Sequence, residues 1–294
     1  MNRQQKADLL LLMVTAFWGV SYLLMDICLT DLQPMTLNAF RFLVAFGVLG
    51  VLLHKELRHI SRKTLRYSFW IGLCLSMVYI CCTYGVLYTS LSNAGFICAL
   101  PVVTTPLLEF LVFRKKPGRQ FLLCLVMCTV GLGLMTLNAQ FQPALGDVIC
   151  LGTALFYGCD LIITDRAVHD PEVSPIQLGV CQLGVVGVVM LVLALALETP
   201  HLPTTPGIWA SALFLGVFCS GVAFVVQAVQ QQYTTASHVG LIFTMEPLFA
   251  AVVAFVFAHE RLAPRGYLGV VLMMASLVLV EMPLGGKRKK KEAL

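Results

Sequence analysis

The side chains of this chain best suited to chemistry are the ones least at home in their surroundings. Asp26, Arg41, Glu109, Asp160, Asp165, Glu246 and the imidazole of His238 fall inside long apolar stretches. A charge at such depth costs about 2.5–3.5 kcal/mol in a lipid-embedded helix and normally faces protein or a water-filled path. Glu246 is centred in an apolar run over 236–258 and followed by Pro247. Proline lacks a backbone donor and frees the carbonyl four residues earlier, here that of Phe243. His238, Ile242, Met245/Glu246 and Phe249 follow helical spacing, which sets imidazole and carboxylate on one helix face about 12 Å apart. Such a carboxylate can bind a cationic substrate group or carry a proton. Thr153, Tyr157, Asp160 and Thr164 recur at i, i+4, i+7 and i+11, a polar stripe on an otherwise apolar helix.

Aromatic residues surround these charges. Trp18, Tyr22, Tyr79, Tyr157, Phe96 and Phe224, with Asn93, Asp160, His238 and Glu246, form the expected substrate-binding set. Trp18 and Tyr157 lie deeper than the interfacial belt where membrane aromatics usually gather. Aromatic walls with a few polar groups suit a small-molecule pocket, and with carboxylates they suit cation–π contacts. Asp26 and Arg41 sit near one surface on successive segments and are expected to form a structural ion pair. Glu109, near Arg114, and Asp165, next to Arg166, read as interfacial neighbours of basic residues. The 11 cysteines show no CxxC or Cys/His spacing and read as small packing residues. No metal, cofactor or nucleic-acid partner is expected.

The elements that must position these residues follow from composition. The 294 residues are 59% hydrophobic and 12% charged, against about 25% charged in soluble domains. Soluble, collagen-like, disordered and disulfide-scaffold classes are excluded, leaving an all-α polytopic membrane protein. A crossing helix needs about 20 apolar residues, and ten such runs occur: 8–29, 35–53, 67–87, 90–113, 120–138, 147–166, 175–197, 207–230, 236–258 and 265–283. The first is read as a retained span rather than a cleaved signal. With both termini cytoplasmic, 17 of the 20 Lys and Arg residues fall on the cytoplasmic side, only Arg261 and Arg265 outside, and Arg41 within a span, as the positive-inside rule requires. The basic run Lys287–Lys291 reads as an anchor on anionic headgroups.

The chain also resembles itself. Asp8, Phe17-Trp18-Gly19 and Asp26 match Asp147, Phe156-Tyr157-Gly158 and Asp165 at an offset of 139; Pro34 matches Pro175, Ser92-Asn93-Ala94-Gly95 matches Ser237-His238-Val239-Gly240, and Pro101 matches Pro247. This predicts two five-helix repeats, 1–139 and 140–284, followed by a basic tail over 285–294. Because five is odd, the second repeat is inverted. Trp18-Gly19, Pro34…Arg41-Phe42…Ala45, Asn93-Ala94…Pro101 and Glu246-Pro247…Glu260-Arg261-Leu262 together resemble the EamA branch of the drug/metabolite transporter superfamily. The resemblance covers essentially the whole chain. It departs at Phe113-Arg114-Lys115-Lys116, where the family often has an acidic turn. The resemblance implies two bundles around a central, alternately accessible cavity.

The expected function is secondary transport of a small metabolite such as an amino acid, nucleoside or amine, with proton coupling through Glu246 or Asp160 open. The alternatives are an exporter of cationic compounds with the same fold and an intramembrane lipid-modifying enzyme. No phosphate-binding loop suggests ATP-driven transport, and the sequence offers the enzyme no HExxH or GxSxG motif. Substrate, direction of transport and oligomeric state stay open, a monomer included.

Overall fold

The computed structural model describes residues 3–88, 97–114, 116–136, 145–258 and 263–281. Within them the chain is helical and has no strand. The helices are α1 (Arg3–Leu29), α2 (Pro34–Leu52), α3 (Arg62–Leu87), α4 (Pro101–Phe113), α5 (Arg119–Thr136), α6 (Leu145–Val168) and α7 (Pro175–Leu197). They continue as α8 (Pro206–Phe214), a π-helical stretch over Leu215–Val222, α9 (Ala223–Gln231), α10 (Ala236–Phe243), α11 (Glu246–Ala258) and α12 (Pro264–Glu281). Seven stretches are long and apolar enough to cross a membrane, among them Arg62–Gly85, Pro206–Gln231 and Ala236–Phe257; Pro101–Phe113, Arg119–Leu134 and Pro264–Val280 are shorter apolar helices. Asn93, Phe96, Glu260, Arg261 and the basic tail lie outside the described residues.

Local chemistry sets the helix starts. Pro34, Pro101, Pro175 and Pro206 open their helices, where the missing N–H costs nothing and the fixed φ is already helical. Ser61, Thr205 and Thr235 accept from the backbone N–H three residues on, each satisfying one orphan donor. Arg114 ends α4 at φ 54°, closing the helix with a left-handed residue.

Packing follows a pattern. α2 lies on α7 and α5 on α12; α3 lies on α6 as α1 lies on the α8–α9 unit; α1 packs against α11 and α6 against α4. Two glycines permit the last two approaches. A Cβ on Gly19 would collide with the Phe249 Cβ and the backbone at Ala250, and one on Gly158 would stand 3.0 Å from Thr104 Oγ1. At one end, Glu198 accepts from the Met35 and Thr36 amides at 2.8 and 2.7 Å, and Asp31 from the Thr204 amide at 2.9 Å. At the other, Lys63 pairs with Glu172 at 2.8 Å and Gln177 Nε2 donates to the Glu56 carbonyl at 2.6 Å. The largest buried cluster joins Trp18, Phe42, Leu161, Phe224 and Phe243. Outward faces carry Val51, Val192, Leu195 and Phe257, each more than half exposed, an apolar surface that lipid rather than water must cover.

Candidate functional site: an aromatic centre beside a broken helix

The expected continuous helix over 236–258 is broken. α10 stops at Phe243 and α11 starts at Glu246, with Thr244 and Met245 in a turn. Pro247 cannot donate to the Phe243 carbonyl, so the α-helical ladder restarts with Pro247 in the first turn of α11. Thr244 Oγ1 donates back to the Leu241 carbonyl at 2.6 Å and lies 2.8 Å from Cys128 Sγ. The break separates the two residues expected to share a face. Glu246 becomes the first residue of α11, where the helix dipole favours a carboxylate, whereas His238 stays in the first turn of α10 with Nε2 3.3 Å from Asp8 Oδ1.

Glu246 is half-buried and accepts from the Tyr22 hydroxyl at 2.8 Å. Tyr22 is 50% exposed, so this pair is the accessible edge of the site. One turn earlier on α1, Trp18 is 6% exposed and surrounded by rings: Phe243 at 4.7 Å between centroids, Phe224 at 5.5 Å and Tyr157 at 6.3 Å. Tyr157 stacks on Phe243 at 6.2 Å. Trp18 Nε1 donates to the Cys219 carbonyl at 2.9 Å. Phe42 continues the wall, 5.0 Å from Tyr79 and 6.0 Å from Phe224.

Arg41 corrects an expectation. It makes no ion pair with Asp26, which is exposed. The guanidinium is 1% exposed and turns inward: Nε donates to Ser220 Oγ at 2.7 Å, Nη1 to Met25 Sδ at 3.4 Å and Nη2 to the Tyr79 hydroxyl at 3.5 Å, with Tyr79 and Phe42 rings about its charge. Asp26, in the last turn of α1, is exposed at less cost than burying a second charge. Asp160 is 1% exposed and sits deeper than the aromatic ring set, beside Gln227. Two surface hollows, of about 500 and 310 Å³, lie near Lys63–Tyr67 and near Gln232–Thr235; neither contains Trp18 or Glu246.

Of the expected set, Trp18, Tyr22, Tyr79, Tyr157, Phe224 and Glu246 come together, with Asp160 below them and His238 apart. Sequence reasoning missed Phe243 as a wall, and Ser220 and the Cys219 carbonyl as partners. The latter two lie in the π-helical stretch, whose wide turns recur at functional sites. The only sequence sign there is the cluster of small residues Gly216, Cys219-Ser220-Gly221.

Helices of this length, an apolar outer surface and a polar, aromatic interior define a multi-pass membrane protein. The EamA-like transporter family model matches residues 5–137 and again 144–282, and the chain belongs to that family. An uncharacterized transporter of Archaeoglobus fulgidus is 26% identical over 276 residues, covering 94% of this chain and 86% of the relative. The Bacillus subtilis uncharacterized transporter YwfM is 24% identical over 299 residues, covering 97% and 96%. A crystal structure described only as that of a protein superposes with a TM-score of 0.78 over 94% of this chain and 96% of the other at 15% identity, a likeness of fold.

Proposed function

We propose that the protein is a secondary transporter carrying a small metabolite across the membrane by alternating access, with Trp18, Tyr22, Tyr79, Tyr157 and Glu246 contacting the solute. The observation that carries this is the half-buried Glu246–Tyr22 pair at a helix break, opening onto an aromatic wall. Broken helices with their ends turned inward are how membrane carriers present polar backbone to a solute. Family and relatives point to a transporter rather than an enzyme. Ten spans in two inverted repeats, with both termini cytoplasmic, complete the proposal. Three observations support it: the repeated family match, the paired helix contacts, and the matching approaches at Gly19 and Gly158.

Glu246 is the proposed proton carrier. Tyr22 donates to one carboxylate oxygen, and a carboxylate has acceptor capacity beyond that for a proton or a cationic group. The test is counterflow in liposomes, with the solute chosen by a thermal-shift screen over metabolites. Glu246→Gln keeps the fold and flattens the pH dependence of transport; a variant whose pH profile matches wild type sinks the assignment. A cationic-compound exporter is the second reading, favoured by the same carboxylate among aromatic rings. It requires organic amines to compete for the site while neutral metabolites do not.

A further inference from the structure

Below the aromatic centre, α6 and α9 pack side by side. Gln227 is in hydrogen-bond reach of Asp160, and Gln231 Nε2 donates to the Leu161 carbonyl at 2.6 Å. Residue numbers rise together along both helices, so they run in the same direction there. Asp160 and Thr164 on one helix thus oppose Gln227 and Gln231 on the other, each pair one turn apart, about 6 Å along the axis. All four are buried, at 1%, 2%, 2% and 0% exposure. Asp160 Oδ1, Thr164 Oγ1, Gln227 Oε1 and Gln231 Oε1 each lack a hydrogen-bond partner.

The unmet atoms are one carboxylate oxygen, two amide oxygens and one hydroxyl, which can donate as well as accept. Buried acceptors without donors cost about 1–3 kcal/mol each, and a positive group placed among them removes the shortage at once. The charge count selects its valence. One carboxylate is present, and no group of three His, Cys, Asp or Glu able to hold a metal occurs among the described residues. Divalent ions of the calcium and magnesium kind are usually held by several carboxylates or by waters. An organic ammonium does not fit a layer this closed.

We propose that Asp160, Thr164, Gln227 and Gln231 form a site for a desolvated monovalent alkali cation. Asp160 supplies the compensating charge, and the two glutamine carbonyls and the Thr164 hydroxyl replace the hydration shell. Gln231 is held through Nε2 by the Leu161 carbonyl, which leaves its Oε1 without a partner. Tyr157, one turn before Asp160, ties the site to the aromatic centre; on the carrier reading above, the cation is a second ion beside the proton carried by Glu246. The site itself does not depend on that reading.

The test needs no solute. The purified protein in nanodiscs is unfolded thermally in sodium, potassium, lithium or choline chloride at constant ionic strength. One alkali cation raises the melting temperature saturably, by about 5 °C at saturation, and choline does not. Asp160→Asn abolishes the response, and Gln231→Leu weakens the apparent affinity at least tenfold. Equal melting in all four salts overturns the proposal, as does a response that survives Asp160→Asn. Stabilisation by acid in place of any alkali cation makes the occupant a proton and also overturns it. If Asp160→Asn does not fold, the wild-type salt series and Gln231→Leu decide alone. Failure to find a transported solute bears on the carrier reading and leaves this result untouched.

Discussion

Pro101 and Pro247 each fall in the first turn of a helix that follows a short turn, and they differ in the residue that stands before them. The first, after the turn at Ala99-Leu100, has Leu100 at the cap with no side-chain hydrogen bond. The second has Glu246, hydrogen-bonded to Tyr22. The helices that follow are each pressed against an approaching glycine, Gly158 on Thr104 and Gly19 on Phe249. The scaffold is therefore matched while the chemistry is loaded on one side. A device that serves only to bend a helix needs no charge; a charge appears where something has to be held or released.

The sharpest way to break this comparison is through its scaffold. Gly19→Leu and Gly158→Leu both lose monodisperse folded protein in detergent, because overpacking a backbone contact costs about 3 kcal/mol or more. If only one of the two fails to fold, the approaches are not equivalent. A smaller effect tests the interior charge. Ser220→Ala lowers stability by about 2 kcal/mol, since it strips the best acceptor from a buried guanidinium, while Ser220→Ala in an Arg41→Met background costs little. Thermal unfolding of the four proteins in nanodiscs reads the coupling, and additive losses show that the bond does not matter. Trp18→Phe keeps the ring and loses the bond to the Cys219 carbonyl, for about 1 kcal/mol; solute affinity falls more than stability if the ring set is a binding wall. Smallest of all, Lys63→Met leaves the melting temperature unchanged, because an ion pair with so exposed a lysine contributes little, and a clear drop shows that the connections at that end carry load.

Much of this was readable in the residues. Proline acts through the backbone alone, so Pro34, Pro175 and Pro206 mark helix starts at the edges of apolar runs; Pro101, inside the run over 90–113, opens α4 instead of lying within a longer helix, and Gly19 and Gly158, legible only as a repeated pair, turn out to be close contacts. The polar stripe Tyr157–Asp160–Thr164 was visible because period alone defines a face. Two things were not. Asp26 and Arg41 are close in sequence register, yet the guanidinium goes to Ser220, 179 residues away; no local rule reports a partner of that kind. The Glu246 and His238 geometry failed because a single helix was assumed through Pro247. Proline frees a carbonyl in either case, and only the surroundings decide whether the helix bends or restarts.

The π-helical stretch over Leu215–Val222 has one more consequence. Bonds from i to i+5 spend an additional residue compared with an α-turn, so everything beyond Val222 is rotated out of phase with α8. The heptad-like bookkeeping that assigns lipid-facing positions from Pro206 onward would place Phe224, Gln227 and Gln231 on the wrong side. A one-residue deletion within 215–222 is thus equivalent to turning the lower half of that helix about its axis, exchanging its buried amides for apolar neighbours without altering any of their identities.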